Sequence, residues 1–158
     1  MTPSRVRYRE VAGRLATGVT VITAVGPAGP VGMTANAVCS LSLEPLLLLA
    51  CFDNTARTLP VVRGSGRFGV NVLAAGQAEL AALFASKGQE GEKFAAVGHD
   101  LHDGVPVLHG ALAWISCELQ ELLPRGDHTI AIGAVREVGH GEAEPLLWYR
   151  GLYGLAHT

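Results

Sequence analysis

Long apolar runs, clustered basic residues and paired cysteines are all missing from this chain, and each absence removes a class of protein. The longest apolar run, Leu46 to Phe52, falls far short of the roughly 20 residues a membrane helix needs. The N-terminus is polar with no apolar stretch behind it, so no secretory leader and no membrane association are expected, and a cytoplasmic protein is. Lys and Arg occur singly, 12 of them against 14 Asp and Glu, and the electrostatic footprint of a nucleic-acid binder is absent. Three cysteines, Cys39, Cys51 and Cys117, are an odd number at wide spacing. That pattern argues against a disulfide framework and paired CxxC zinc ligands, and buried small hydrophobes are expected instead. No GxGxxG follows a strand-like run, so a Rossmann site is not indicated.

What remains is a chain of 158 residues, 49% of them hydrophobic, which suits one domain spanning residues 1–158. Thr2-Pro3-Ser4 offers a cap and a first-turn proline, and Tyr8, Val11, Ala12 and Leu15 follow at helical spacing, predicting a helix closed by Gly18. Val19–Val25 and Val31–Ala37 read as a hairpin around a Gly26–Pro30 turn. Leu46–Phe52 and Arg67–Leu73 read as further strands, and Gln77–Ala85 as a short amphipathic helix. Ser86 to Pro106 loses periodicity and is expected to be a long surface loop with one helical turn at Lys93, Phe94 and Val97. Ala111–Leu123, Thr129–Val138 and Leu146–Tyr149 complete a set of strands joined by tight turns. Such turns favour antiparallel pairing, because parallel returns need a dozen or more residues each.

The segment from Gly32 to Pro45 is the chemically unusual one. Small side chains leave backbone groups open to a planar heterocycle, and Thr34, Asn36, Ser40 and Ser42 add hydroxyl and amide groups. Next, Cys51-Phe52-Asp53-Asn54-Thr55-Ala56-Arg57 ends an apolar strand. There Asp53, Asn54 or Thr55 is expected to cap a helix running towards Val62, whose free N–H groups, with Arg57, make a phosphate site.

Leu15 to Thr23, Gly32 to Pro45, Phe68 to Leu73, Gly126-Asp127-His128 and Pro145 to Arg150, in this order, resemble the flavin reductase family. That resemblance implies a mainly β fold: a six-stranded antiparallel split β-barrel of Greek-key type with a few short flanking helices, paired into a homodimer with flavin at the subunit interface. It implies NAD(P)H-dependent transfer of a hydride to FMN or FAD, with reduced flavin supplied to a partner monooxygenase. Met33, Thr34, Ala35, Asn36 and Ala37 match the stretch bordering the isoalloxazine ring, and Ser40 and Leu41 its continuation. Cys51, Asp53, Asn54, Thr55 and Arg57 match the phosphate contacts, and Lys87, Lys93 and Phe94 the loop near the flavin tail. His128 matches a histidine on the nicotinamide side. Trp148, Tyr149, Arg150 and Tyr153 form an aromatic and cationic cluster for either the dinucleotide or the second subunit. FMN against FAD and NADH against NADPH stay open. Glu44-Pro45 and Asn54-Thr55 depart from the family pattern.

No dedicated acid or base is required, because the cofactor carries the bond chemistry. His99-Asp100-Leu101-His102-Asp103 gathers imidazoles and carboxylates but lies between Gly98 and Gly104 without a supporting helix, so no metal site is assigned to it. His109, His140 and His157 have no evident partners. Two other readings fit the same barrel class: a flavin- or haem-binding protein without turnover, and an oxidase of the pyridoxamine phosphate kind. The latter lacks a matching basic cluster.

Overall fold

Ser4 accepts a hydrogen bond from the Arg7 amide at 3.2 Å, and the first helix, α1 (Arg5–Ala12), follows from that cap in the computed structural model, which describes residues 1–154. His157 lies outside the described residues. The helix stops at Ala12, with Gly13 as its C-cap, and not at Gly18. The reason is tertiary: Arg150 N donates to Gly13 O at 2.9 Å, and Thr17 and Gly18 pair with Trp148 and Leu147. Gly18 is thereby drawn into a strand, β1 (Thr17–Gly18).

There follow β2 (Thr20–Gly26), β3 (Gly29–Ala35), β4 (Val38–Leu43), β5 (Leu46–Asp53), α2 (Thr58–Ser65) and β6 (Arg67–Val72). Then come α3 (Ala78–Ala85), α4 (Glu90–Ala95), β7 (His99–His102), β8 (Val105–Leu108), β9 (Ala113–Arg125), β10 (His128–His140), β11 (Leu147–Tyr149) and β12 (Leu152–Tyr153). Among the described residues no helix is long and apolar enough to cross a membrane.

Seven strands form the principal antiparallel sheet in the order β3-β2-β6-β9-β10-β5-β4. Strand β4, the second half of the small polar segment, pairs along the edge of β5. The stretch from Ser86 to Pro106 is not an irregular loop. The expected helical turn is there as α4, which carries Lys93 and Phe94, and it is followed by most of the β7–β8 hairpin, whose strands are too short to declare a period.

Packing explains why β2 is buried on both faces. Ile22 and Ala24 join Phe52, Phe68, Val62 and Ala131 in one cluster, whereas Val19 and Val21 join Leu73, Phe84, Phe94 and Leu108 in another. Asn71, fully buried on β6, ties the hairpin to this sheet. Its Nδ2 donates to Val21 O and Pro106 O, both at 3.2 Å, and its Oδ1 accepts from Leu108 N at 2.8 Å. Thr23 Oγ1 donates to the same Pro106 carbonyl at 2.6 Å.

The cysteines divide. Cys117 is buried as expected, and burial pushes its thiol up to about 12, but Cys51 is half-buried and Cys39 lies exposed on the edge strand β4.

Two outcomes follow from this packing. Asn71→Leu strands the Leu108 amide without its acceptor and is expected to lower stability by roughly 1–3 kcal/mol, read from urea midpoints; an unchanged midpoint would refute the bridging role. In a timed thiol titration at pH 8, Cys39 should react first and Cys117 only upon unfolding; early modification of Cys117 would contradict its burial.

Candidate functional site

The small polar segment folds as two strands with a break at Asn36-Ala37. Ala37 O accepts from Cys51 N at 2.9 Å, which holds the break against β5 and places Cys51 beside it. Ala35 is buried, and its carbonyl accepts from Thr20 Oγ1 at 2.6 Å. Thr34 Oγ1 donates to Ala81 O, so its hydroxyl is oriented by α3. Ser40 and Leu41 lie further along, at the irregularity where β4 slips one residue against β5, and Leu41 is exposed.

A cleft of about 390 Å³ opens beside this strand, and its wall includes Met33, Thr34, Thr55, Arg57, Ser86 and Lys87. That size falls within the usual range for small-molecule sites. A smaller hollow of about 220 Å³, against Ala35, Asn36, Trp148 and Tyr153, shares Thr34 and Ala85 with the cleft. Thr34 is therefore a wall shared by both.

At the end of β5 the local chemistry differs from the expected cap. Asp53 Oδ1 accepts from Thr55 N at 2.7 Å and from Thr55 Oγ1 at 2.6 Å, closing a turn one step ahead of the helix. Asn54 is used elsewhere: its N and Nδ2 donate to Asp127 O and Gly126 O, and its Oδ1 accepts from Thr129 Oγ1. None of Asp53, Asn54 and Thr55 caps α2. Arg57 occupies the N-cap position and makes no side-chain cap bond, so the helix begins without one. Its guanidinium reaches across the cleft and donates to Lys87 O and Gly88 O, each at 2.9 Å.

Charge is concentrated here. The two Thr55 hydrogen bonds, followed by the nearby charges of His128 and Lys87, hold the Asp53 carboxyl below the usual carboxylate range. His128 is the register partner of Asp53, and its Nδ1 lies 2.7 Å from Asp127 Oδ1. That contact is also the main reason the Asp127 carboxyl is held low.

The remaining sequence candidates are spread out. Phe94 is buried in the second core cluster, edge-on to Phe84 at 5.1 Å, and does not line the cleft. Lys93 lines the cleft, yet its ammonium is committed to Ser86 O at 2.7 Å and Glu90 Oε1 at 3.1 Å. Tyr153 packs on Trp148 at 4.8 Å beside the smaller hollow, and Tyr149 lies half-buried in β11. Arg150 departs from that cluster. With Gly151 it forms the two-residue turn between β11 and β12, both residues at positive φ, and it lines a separate cleft with Arg9 and Arg14.

The histidine-rich stretch is dispersed in the same way. His99 packs on Phe94, Asp100 meets His109, His102 lies on Trp114, and Asp103 pairs with Arg67 at 2.6 Å. Sequence reasoning missed Ser86 and Glu90, both on the cleft wall. The signal for Glu90 was its i,i+3 spacing to Lys93.

Comparisons with known proteins agree with this architecture. The profile described as "Flavin reductase like domain" matches residues 12–156. The chain is 41% identical over 150 residues to the reductase subunit HsaB of a flavin-dependent monooxygenase from Mycobacterium tuberculosis, covering 92% of this chain and 79% of that protein. It is 36% identical to the FMN reductase (NADH) SmoA of Agrobacterium fabrum, covering 93% and 83%. The solved structure of the NADH:FAD oxidoreductase SgcE6 of Streptomyces globisporus, in complex with NAD and FAD fragments, superposes with a TM-score of 0.90 at 36% identity, covering 96% and 92%. On the extent of these matches, the chain belongs to the flavin reductase family.

Proposed function

We propose that this protein is an NAD(P)H:flavin oxidoreductase that reduces FMN or FAD and supplies the reduced flavin to a separate monooxygenase. The observation that carries this reading is the cleft in which Met33 and Thr34 meet Thr55, Arg57 and Lys87 beside an uncapped helix start. A flavin is a flat ring with an anionic tail, and the donor set suits both parts. Strand β3 supplies a flat wall with one apolar side chain. Arg57 and Lys87 supply positive charge for a phosphoryl group.

When bound, the flavin supplies the redox chemistry, accepting a hydride from the nicotinamide of NAD(P)H. The chain's own residues bind, orient and exclude water. Thr34 fixes the partition between the cleft and the smaller hollow, which places two ring sites side by side. Asn36, Trp148 and Tyr153 line the second of these. His128, backed by Asp127, stands beside Asp53 at the exposed end, where it positions the nicotinamide nucleotide. Ala35, Ala37, Ser40, Leu41 and Cys51 shape the strand backbone around the ring and do not act as acids or bases.

The same reading includes a single split-barrel domain over residues 1–158 that works as a homodimer. Two features support a second copy. No residue of α1 is buried, and Val6, Tyr8 and Val11 on it are exposed. The half-buried residues Leu47, Leu49, Ile130 and Ile132 align across β5 and β10 on the face opposite the buried Leu48, Ala50 and Ala131.

Anaerobic mixing with NADH or NADPH should bleach FMN or FAD absorbance with multiple turnovers. Bound flavin that stays oxidised with both nicotinamides would overturn the reductase reading. Arg57→Ala should raise the KM for flavin by roughly 10-fold or more, as for loss of a charged hydrogen-bonding group, while kcat at saturating flavin changes little. A fall in kcat at constant KM would remove Arg57 from the tail site.

A further inference from the structure

We propose that Lys93 is a positioning residue: its buried ammonium, paired with Glu90, fixes the Ser86–Gln89 loop and the adjoining part of β3 in the geometry that sets affinity for flavin. The choice of ligand rests on the reductase reading above, whereas the positioning rests on the protomer's own contacts.

The Lys93 side chain is only 4% exposed and that of Glu90 16%. The ammonium donates to Ser86 O at 2.7 Å and to Glu90 Oε1 at 3.1 Å. The other carboxylate oxygen, Oε2, accepts from Gly32 N at 3.0 Å. One ion pair thus joins three pieces of chain: α4, the exit from α3, and β3 next to Met33 and Thr34. From the opposite flank, Arg57 donates to Lys87 O and Gly88 O. The carbonyls of Ser86, Lys87 and Gly88 therefore all accept from cationic side chains.

In a planar trans peptide the N–H points opposite to the C=O. Directing these carbonyls towards Lys93 and Arg57 therefore directs the amides of Lys87, Gly88 and Gln89 the other way, and the course of the loop is set by two cations. An apolar residue at position 93 would fill space but would leave Ser86 O and Glu90 Oε1 without the ammonium they share. With two of its three N–H groups used and little exposure, the ammonium is poorly placed to hold a ligand directly. Its effect on the cleft passes through Ser86 and Gly32, both of which line it.

The test compares the full chain with Lys93→Met, Lys93→Arg and Glu90→Gln. FMN and FAD affinity is read by quenching of flavin fluorescence, KM and kcat by anaerobic turnover with NADH, and loop order by amide hydrogen exchange of the flavin-free protein. Lys93→Met should raise flavin Kd and KM together by about tenfold or more, with the loss falling on these and not on kcat at saturating flavin. Exchange at Gly32 and across residues 86–90 should quicken, and Lys93→Arg should recover most of both effects. Unchanged exchange in Lys93→Met overturns the proposal, as does a fall in kcat at constant KM, which would make Lys93 a direct participant. If Lys93→Met does not fold, Glu90→Gln decides the matter by the same exchange readout, because it removes the charge while keeping the shape. If the wild-type chain binds no flavin, only the ligand assignment fails, and the exchange data still settle whether Lys93 positions the loop.

Discussion

The missing side chain at Gly32 is the constraint from which the geometry of the cleft follows. A Cβ at that position would lie 2.8 Å from the Phe84 ring and 3.4 Å from the Phe94 ring, so only glycine lets both rings close against β3. The rings meet edge-on, an arrangement that contributes ~0.5–1.5 kcal/mol beyond the area it buries. Phe84 belongs to α3 and Phe94 to α4, and closing the pair draws both short helices onto one strand. α4 has six residues and would be marginal alone; its fixed place comes from this packing. Once Phe84 is seated, the chain leaving α3 must pass over Met33 and Thr34, and the cleft is the space left beneath it.

Electrostatics then divide the work among few cations. Lys93 is spent inside the wall on Ser86 and Glu90, and Arg57 spends two donors on loop carbonyls. Lys87 is exposed and makes no ion pair among the described residues. Asp53 faces the same space, and two hydrogen bonds from Thr55 hold its carboxyl below the usual carboxylate range. Arg57 and Lys87 against Asp53 leave a small positive excess for an anionic tail. A small excess in an open cleft suits a ligand that enters and leaves, in keeping with the proposed hand-over of reduced flavin.

Much of this was legible in the sequence where one face of an element decides its fate. Phe68, Val70 and Val72 alternate on β6, and the run from Leu46 to Phe52 is too short for a helix. What escaped was governed by partners distant in the chain. Gly18 reads as a helix stop, yet Leu147 and Trp148 take it and Thr17 into a strand. Asp53, Asn54 or Thr55 reads as a helix cap, but the Asp53 carboxylate is satisfied sooner by Thr55, two residues on, and Asn54 bonds to Gly126, Asp127 and Thr129. The stretch from Ser86 to Pro106 shows its helical turn at Lys93 and Phe94 but hides a hairpin, because β7 and β8 have four residues each, too few to show a period. Arg150 reads as part of an aromatic cluster, but a two-residue turn with positive φ at Arg150 and Gly151 swings it towards α1. A buried lysine carries no mark in sequence that separates it from a solvated one, apart from the glutamate three positions earlier.

Thr34 shows why a site of this kind needs no acid–base pair. Hydride transfer requires two rings held in near-contact, and the protein's contribution is placement and exclusion of water rather than proton traffic. The Thr34 hydroxyl donates to Ala81 O, so the side chain cannot turn freely, and it borders both the cleft and the smaller hollow. Ala81 is itself fully buried with Phe84 in the second core cluster. The wall that the two hollows share is therefore tied to the second core cluster. A wall anchored in this way keeps the spacing of the two hollows constant, while the cleft stays open at its exposed residues Asp53 and Lys87.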